Sequence, residues 1–221
     1  MVNMLFSLYN FHESWAKDLV SKYINSNDKV LIVPFSFDDN ICDDNGWCNA
    51  YSKNNGRYYE SIIAPFLNYG IKEENINWIN YFKDTTENAK IKIKNSNIIF
   101  FTGGLPDEMM IRLKEFNLID DIENFKGVII GSSAGAMIQI SEYHITPDED
   151  YNIFTYNTGL NFIKDFDIEV HYEEAEIQNK YINKVLREKR EKVYAITNTG
   201  GIIVDNEKIV LLGKVKTFSK Q

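Results

Sequence analysis

The chain has few of the features that would tie it to nucleic acid or to a membrane. Its 221 residues carry 24 lysines and arginines against 32 aspartates and glutamates, a formal net charge of -8. It therefore lacks the basic surface that binding to phosphate backbones requires. No apolar run is long enough to cross a bilayer, and the amino end lacks the basic start and the length of a signal peptide. We predict a cytoplasmic protein whose partners include neither nucleic acid nor a membrane.

Cysteine and histidine are also scarce. Cys42 and Cys48 are too few for a disulfide scaffold, and no histidine stands near them to complete a metal site. We therefore expect two reduced thiols, no metal and no other cofactor. The chain has three histidines, His12, His144 and His171, so any reaction that needs an imidazole has only three candidates.

The rest of the composition is that of a globular protein with one well-buried core. Hydrophobic residues make up 44% of the chain and aromatic residues 14%, and we predict a single domain over residues 1–221. Short β-rich apolar runs alternate with longer amphipathic segments, which is typical of a mainly parallel sheet with helices on both faces. The predicted strands are 29–35, 76–79, 97–101, 127–130, 168–171, 193–196 and a pair around residues 204 and 209; the clearest predicted helices are 58–69, 106–116 and 177–189.

Residues 131–136, Gly-Ser-Ser-Ala-Gly-Ala, follow the apolar run 128–130 directly. This pattern predicts a strand that turns sharply into a helix with Ser133 at the turn. Glycines on both sides permit strained backbone and leave the Ser133 hydroxyl exposed above the sheet edge, as a nucleophile requires. Small residues at such a junction also let a helix pack closely on a sheet, so the motif alone makes Ser133 only a candidate nucleophile.

A serine nucleophile needs a general base. His12 stands at the start of a predicted amphipathic helix, where a capping or partly exposed role is expected, and His144 is close to Ser133 along the chain. His171 ends a predicted strand, and functional crevices of open parallel sheets form at the carboxyl ends of strands. We therefore predict His171 as the base.

A carboxylate is expected to orient the imidazole, and two positions could supply it. Asp205 lies in a predicted tight turn between the last two strands, where aspartate is also a common turn residue. Asp148 lies with Glu149 in the loop after the predicted nucleophile helix, where a solvated carboxylate is equally expected. The residue types leave this choice open.

The tetrahedral intermediate needs backbone N–H donors for its oxyanion. One is expected from Ala134, the residue after the nucleophile. The pair Gly103 and Gly104, between a predicted strand and the proline that opens the next helix, could supply a second. The same pair could also simply make a tight loop.

The order of these motifs resembles peptidase family S51, whose best-known branches are aspartyl dipeptidase (peptidase E) and cyanophycinase. The family shows a glycine pair after a strand, then Gly-x-Ser-Ala-Gly-Ala, a Gly-Leu segment leading to His-Tyr or His-Phe, a charged helix, a Tyr-Ala-Ile-like strand and a terminal hairpin. The matching segments of this chain are 101–104, 131–136, 158–161, 171–172, 193–196, 203–205 and 212–213. The resemblance thus extends from about residue 29 to residue 213.

The resemblance implies a serine peptidase that cleaves dipeptides or short peptides through an acyl-enzyme. It also implies an α/β sandwich fold like that of class I glutamine amidotransferases (flavodoxin-like). It implies Ser133 as nucleophile, His171 as base, and Gly104 and Ala134 as oxyanion donors. The family carries its third triad member on an acidic residue of the terminal hairpin, which favours Asp205 as the acid.

Two departures affect the expected substrate. Leu105 follows the glycine pair where the family often has Asn or Asp, and residues 172–176 are acidic where aspartyl dipeptidase has basic residues. Carboxylates near the pocket would repel an amino-terminal Asp side chain and favour a free ammonium, so cleavage of Asp-X peptides is only a hypothesis. Arg187 and Arg190 could restore positive charge, although arginines on a charged helix are more often solvated.

Two other readings remain open at this point. An α/β-hydrolase esterase also uses Gly-x-Ser-x-Gly but orders its triad Ser, acid, His, which would require Asp148 or Glu149. A non-catalytic member of the same fold would bind a small amino compound or a partner protein without turning anything over.

Overall fold

The secondary structure follows the predicted alternation of strands and helices. The computed structural model describes residues 1–220. Its strands are Val2–Phe6 (β1), Val30–Val33 (β2), Ile76–Trp78 (β3), Ile98–Phe101 (β4), Val128–Ser132 (β5), Glu142–Ile145 (β6), Thr155–Thr158 (β7), Asp167–Glu169 (β8), Lys192–Asp205 (β9) and Lys208–Ser219 (β10). Its α-helices are Lys17–Val20 (α1), Asp44–Tyr51 (α2), Tyr59–Asn68 (α3), Thr86–Lys94 (α4), Pro106–Glu115 (α5), Ile119–Glu123 (α6), Ala134–Met137 (α7) and Glu176–Glu188 (α8).

The main sheet has the strand order β10-β9-β1-β5-β4-β2-β3. Strands β1, β5, β4, β2 and β3 pair in parallel, and β9 joins β1 antiparallel. The second half of β9 pairs with β1, while its first half pairs in parallel with β8. The carboxyl ends of β1 and β8 therefore meet at the middle of β9. The hairpin of β6 and β7 forms a separate two-stranded sheet.

Both faces of the sheet are covered by helices. Along β2, Val30 and Ile32 belong to one hydrophobic cluster and Leu31 and Val33 to another, as the alternation of a strand requires. Helices α1, α2 and α3 contribute to the first cluster and α4, α5, α6 and α7 to the second. The predicted fold class, a mainly parallel sheet between two helical layers, is confirmed.

Strand β1 lies at the centre of the sheet, although the pattern of its sequence did not predict a strand. Met4, Leu5 and Phe6 are fully buried. The buried Asn3 side chain donates to the Gln139 side chain over 2.9 Å, which satisfies a polar group in an otherwise apolar environment. The run is short, it contains an asparagine, and its polar and apolar residues do not alternate, so the sequence gives little indication of a strand.

The polar stretch 38–57 is also more ordered than its composition suggests. It contains α2, whose Trp47, Ala50 and Tyr51 are buried against the sheet. Cys42 and Cys48 are free thiols. Over residues 1–220, none of the helices has both the length and the apolar character needed to cross a membrane.

Candidate functional site

The structure places Ser133 at a strained turn between β5 and α7. Its backbone has φ 51° and ψ -116°, and its N–H donates to the Phe6 carbonyl over 2.8 Å. A Cβ on Gly131 would lie 1.9 Å from the Gly135 carbonyl oxygen, and one on Gly135 would lie 2.2 Å from that of Phe101. The glycines are required because backbone atoms approach closely on both sides of the serine. Backbone held in such an unfavourable region marks functional sites more often than structural ones.

The glycine pair after β4 lies against the serine turn. The Gly103 N–H donates to the Tyr9 hydroxyl over 2.8 Å, and the Ser36 hydroxyl donates to the Gly103 carbonyl over 2.6 Å. Gly104 follows with φ 135°. Among the described residues, no acceptor is hydrogen-bonded to the backbone N–H of Gly104 or of Ala134. Two unpaired donors are therefore available beside the serine, as an oxyanion site needs.

Replacing Gly104 by alanine should lower kcat by about 100-fold, the usual effect of losing one oxyanion donor. The added Cβ would lie 2.2 Å from the Ser36 carbonyl oxygen, and alanine is strained at this positive φ, so the N–H must move. Steady-state kinetics on a cleaved dipeptide measures the effect, with Gly46→Ala in α2 as a control expected to retain full activity. An unchanged kcat in Gly104→Ala would exclude the Gly104 N–H as a donor.

His171 lies immediately beyond β8 and also has a left-handed backbone, with φ 50°. Its N–H donates to the Ser7 hydroxyl over 3.0 Å, and that hydroxyl donates to the Ile196 carbonyl in β9 over 2.9 Å. The consecutive residues Phe6 and Ser7, at the end of β1, thus hold the backbones of Ser133 and His171. This is why two residues 38 positions apart in the chain reach the same edge of the sheet.

The hydrogen-bond partner of the His171 ring is Asn198. The ring Nδ1 lies 2.8 Å from the Asn198 Oδ1, in the stretch of β9 between the residues paired with β8 and those paired with β1. The Asn198 carbonyl in turn accepts from the Asn10 side chain over 2.9 Å. An amide oxygen at Nδ1 selects the tautomer that carries its proton there, which leaves Nε2 able to accept one.

The predicted triad acid, Asp205, lies elsewhere. It pairs with Val2, at the opposite end of β1 from Phe6, and the Tyr23 hydroxyl donates to its side chain over 3.2 Å. Four residues of extended strand correspond to about 13 Å. Because β9 runs antiparallel to β1, the turn that follows β9 lies at the edge remote from the carboxyl ends of the parallel strands. The prediction of Asp205 as the orienting acid is thus corrected, because Asn198 occupies the expected position.

The alternative acid, Asp148, stabilises its own loop. One of its carboxylate oxygens accepts from the backbone N–H groups of Asp150 and Tyr151, each over 2.9 Å. It lies in the wall of the same cleft as His171, but no hydrogen bond joins the two side chains in the part of the chain that the structure describes. The triad order of an α/β-hydrolase esterase therefore has no geometric support.

Ser133, His171 and Gly104 line a cleft of about 580 Å³. Its other walls come from the loop around Asp148 and from the residues that lead into α8. Within the described residues, the lining includes no lysine or arginine, and Arg190 instead donates to the Glu142 carbonyl over 2.9 Å. The carboxylates that line the cleft are those of Asp148, Glu149, Asp150, Glu169 and Glu173. The cleft is therefore acidic.

Comparison with models of protein families identifies the family of the chain. The family model described as "Peptidase family S51" matches residues 49–212, well over half of the chain. The chain belongs to peptidase family S51. Its match begins after β2 and includes the serine turn, His171 and Asn198. The chain is therefore a member of a peptidase family, and no curated protein matches it.

Two solved structures resemble the whole S51 fold of this chain. One is a "Putative Peptidase E Protein" from Listeria monocytogenes EGD-e, with a TM-score of 0.69 at 18% identity over 96% of this chain and 98% of the other. The second is a peptidase from an acI-B1 Actinobacterium, with a TM-score of 0.57 at 14% identity over 100% of this chain and 90% of the other. At these identities the likeness concerns the fold.

The S51 site of this chain has a buried ionic cluster behind it that the sequence reasoning missed. His144 is 1% exposed; its Nδ1 lies 2.8 Å from Asp167 and its Nε2 lies 2.8 Å from Glu169. With both ring nitrogens bonded to carboxylates, His144 cannot serve Ser133 as a base. Burial lowers the pKa of His144, but the two carboxylates outweigh that effect and raise the pKa to about 10.

This raised pKa predicts a pH-dependent contribution of His144 to stability. The pKa of an unfolded histidine is about 6.5, so the contribution is complete below that pH and is lost as the pH rises towards 10. We expect the free energy of unfolding to fall between pH 7 and pH 10 more steeply in the wild type than in His144→Gln. Urea titrations at several pH values measure both slopes, and equal slopes would show that His144 is not held as a cation.

Proposed function

We propose that this S51 peptidase is a serine peptidase that hydrolyses dipeptides or short peptides through an acyl-enzyme on Ser133. The proposal is carried by one observation: the serine turn and His171 open into the same cleft, while Phe6 at the end of β1 and the next residue, Ser7, hold both backbones. Each of the two residues has a positive φ, a strained conformation for residues other than glycine.

The proposed reaction follows from the partners of each group. The Ser133 hydroxyl attacks the scissile carbonyl while His171 Nε2 accepts its proton, and Asn198 holds the ring through Nδ1. The free N–H groups of Gly104 and Ala134 stabilise the oxyanion. His171 then protonates the leaving amine, and a water molecule, deprotonated by the same imidazole, releases the acyl group.

The size of the cleft favours a small substrate. Its volume of about 580 Å³ lies in the range of small-molecule sites, and the loop around Asp148 closes one side. The Tyr151 hydroxyl in that loop donates to Asp107 on α5, which fixes the loop beside the glycine pair. A small peptide is the partner we propose, in the cytoplasm and without a cofactor.

The test combines a chemical label with a substrate panel. A fluorophosphonate should add once to the wild type, and peptide mapping should place the adduct on Ser133. The same protein should release free amino acids from at least one member of a panel of dipeptides with acidic, neutral and basic amino-terminal residues. Absence of both labelling and release would overturn the proposal and favour a binding role, and labelling at another serine would overturn the assignment of Ser133.

A further inference from the structure

The cluster of His144, Asp167 and Glu169 carries an unbalanced charge. An imidazole can donate from both ring nitrogens only as the cation, and both face carboxylates at 2.8 Å. One positive charge against two negative charges leaves one negative charge on groups that are at least 94% buried. In the part of the chain that the structure describes, no lysine or arginine side chain bonds to any of the three.

The unbalanced charge is presented at Glu169. Its Oε2 accepts from both His144 and the Thr146 hydroxyl, the latter over 2.8 Å. Its Oε1 has no hydrogen-bond partner among residues 1–220, and Glu169 lines the cleft. Asp167 is different, because its second oxygen accepts from the Ile168 N–H over 2.8 Å and the residue does not line the cleft. Although Glu169 as a residue is 6% exposed, its Oε1 is not among the buried side-chain atoms that lack a partner, so this oxygen is open to the cleft and can bind a cation there.

Glu169 stands close to the proposed chemistry. It is the last residue of β8, two positions before His171, and both residues line the same cleft. The α-ammonium of a substrate lies about 2.5 Å from the carbonyl carbon of its own residue. A carboxylate at this position can therefore contact an ammonium group on the residue whose carbonyl is attacked.

We propose that Glu169 Oε1 binds an alkylammonium group of the substrate, so that this chain selects peptides with a positive charge on the residue that acylates Ser133. This inference rests on the proposed function and names its substrate class. The ammonium group is either the free α-amino group or a lysine side chain. His144 and Thr146 are positioning residues, because their hydrogen bonds hold the Glu169 side chain.

The surroundings of Glu169 support the same selection. Asp148, Glu149 and Glu173 are exposed carboxylates in the wall of the cleft, and the described lining holds no lysine or arginine. Its one buried cation, His144, is already bonded to Asp167 and Glu169 through both ring nitrogens. Like charges at short range disfavour a substrate carboxylate. An aspartyl side chain at the amino end of the substrate is therefore expected to be rejected.

The experiment compares matched substrates on the whole protein. Ala-Ala against N-acetyl-Ala-Ala isolates the α-ammonium, and Lys-Ala against norleucyl-Ala isolates the side-chain ammonium. We expect at least one ammonium-bearing member to exceed its neutral match in kcat/KM by 10- to 100-fold, the range for a hydrogen bond to a charged group, and Asp-Ala to be the poorest substrate. Equal rates within both pairs, or a preference for Asp-Ala, would overturn the proposal.

Glu169→Gln supplies the residue-level test. It should raise KM for the preferred substrate by 10- to 100-fold with little change in kcat, while Glu176→Gln, at the start of α8 and outside the lining of the cleft, should change KM less than threefold. Both variants should still be labelled on Ser133 by the neutral fluorophosphonate, which has no ammonium group for Glu169 to bind. If the wild type is not labelled at all, the proposed function itself is contradicted. If the wild type is labelled but Glu169→Gln does not change KM, only this inference is contradicted.

Discussion

Ser133→Ala should lower kcat by about 10⁵- to 10⁶-fold, to a rate close to that of the uncatalysed reaction plus the effect of binding. The hydroxyl is the atom that forms the acyl-enzyme, and no neighbouring group can replace it. Ser132 is the matched control, since it is 1% exposed and its hydroxyl donates to the Leu8 carbonyl over 3.2 Å. We expect Ser132→Ala to retain activity within tenfold. Steady-state release of amino acids from the best dipeptide measures both variants.

The strained backbone at Ser133 allows a second test of the role of this residue, through the stability of the protein. Glycine adopts φ 51° and ψ -116° far more readily than serine does, so Ser133→Gly should abolish turnover without lowering Tm. A Tm that falls by several degrees would show that the serine side chain stabilises the turn, contrary to a residue kept there for reaction. Equal loss of kcat in Ser132→Ala and Ser133→Ala would instead show that the turn as a whole, and not one hydroxyl, is needed.

Local patterns were sufficient for the parts of the site that lie within one segment of chain. The glycines around Ser133 predict the sharp turn because their close backbone contacts are set within a few residues of sequence and by β4 beside them. The strands β2, β3, β4 and β5 follow apolar runs bounded by polar residues, and their predicted limits agree with the structure to within a few residues.

The partner of His171 could not be found in this way, because its position depends on strand pairing. Residues 193–196 and the segment around residue 204 were predicted as separate strands, but they form the single strand β9. The pairing of β9 with β1 places Asn198 beside His171 and carries Asp205 to the far edge, and β1 itself had no clear pattern. An asparagine in the segment Asn-Thr-Gly-Gly, residues 198–201, carries no signal for a triad.

The buried His144 cluster was missed for a related reason. Its members come from β6 and β8, strands that do not pair with each other, and each is an ordinary polar residue in its own segment. The sequence did indicate an acidic pocket from residues 172–176. It could not show that the most buried carboxylate of that pocket is Glu169, because burial is decided by the packing of separate segments.

Asn198→Ala should lower kcat by about 10³-fold with little change in KM, because the His171 ring then loses the acceptor that fixes its orientation and its Nδ1 proton. Asp205→Asn, at the far end of β9, should leave kcat within twofold. Asn198→Asp should retain activity within tenfold, since either carboxylate oxygen can accept the same bond. Kinetics on one dipeptide, with circular dichroism to confirm folding, measures all three.

The two single variants distinguish the sequence-based and structure-based assignments directly. If Asp205→Asn abolished turnover while Asn198→Ala did not, the terminal hairpin would have to reach His171, and the pairing of Asp205 with Val2 would be wrong.

The expected result, with Asn198 as the partner of His171, also has a consequence for the charge of the imidazole during the reaction. A neutral amide orients the imidazole but does not neutralise the imidazolium, so the positive charge that forms during the reaction meets only the summed field of the five cleft carboxylates, and neutralising any one of them should change kcat little. The acidic lining would then serve both the substrate's ammonium group and the base.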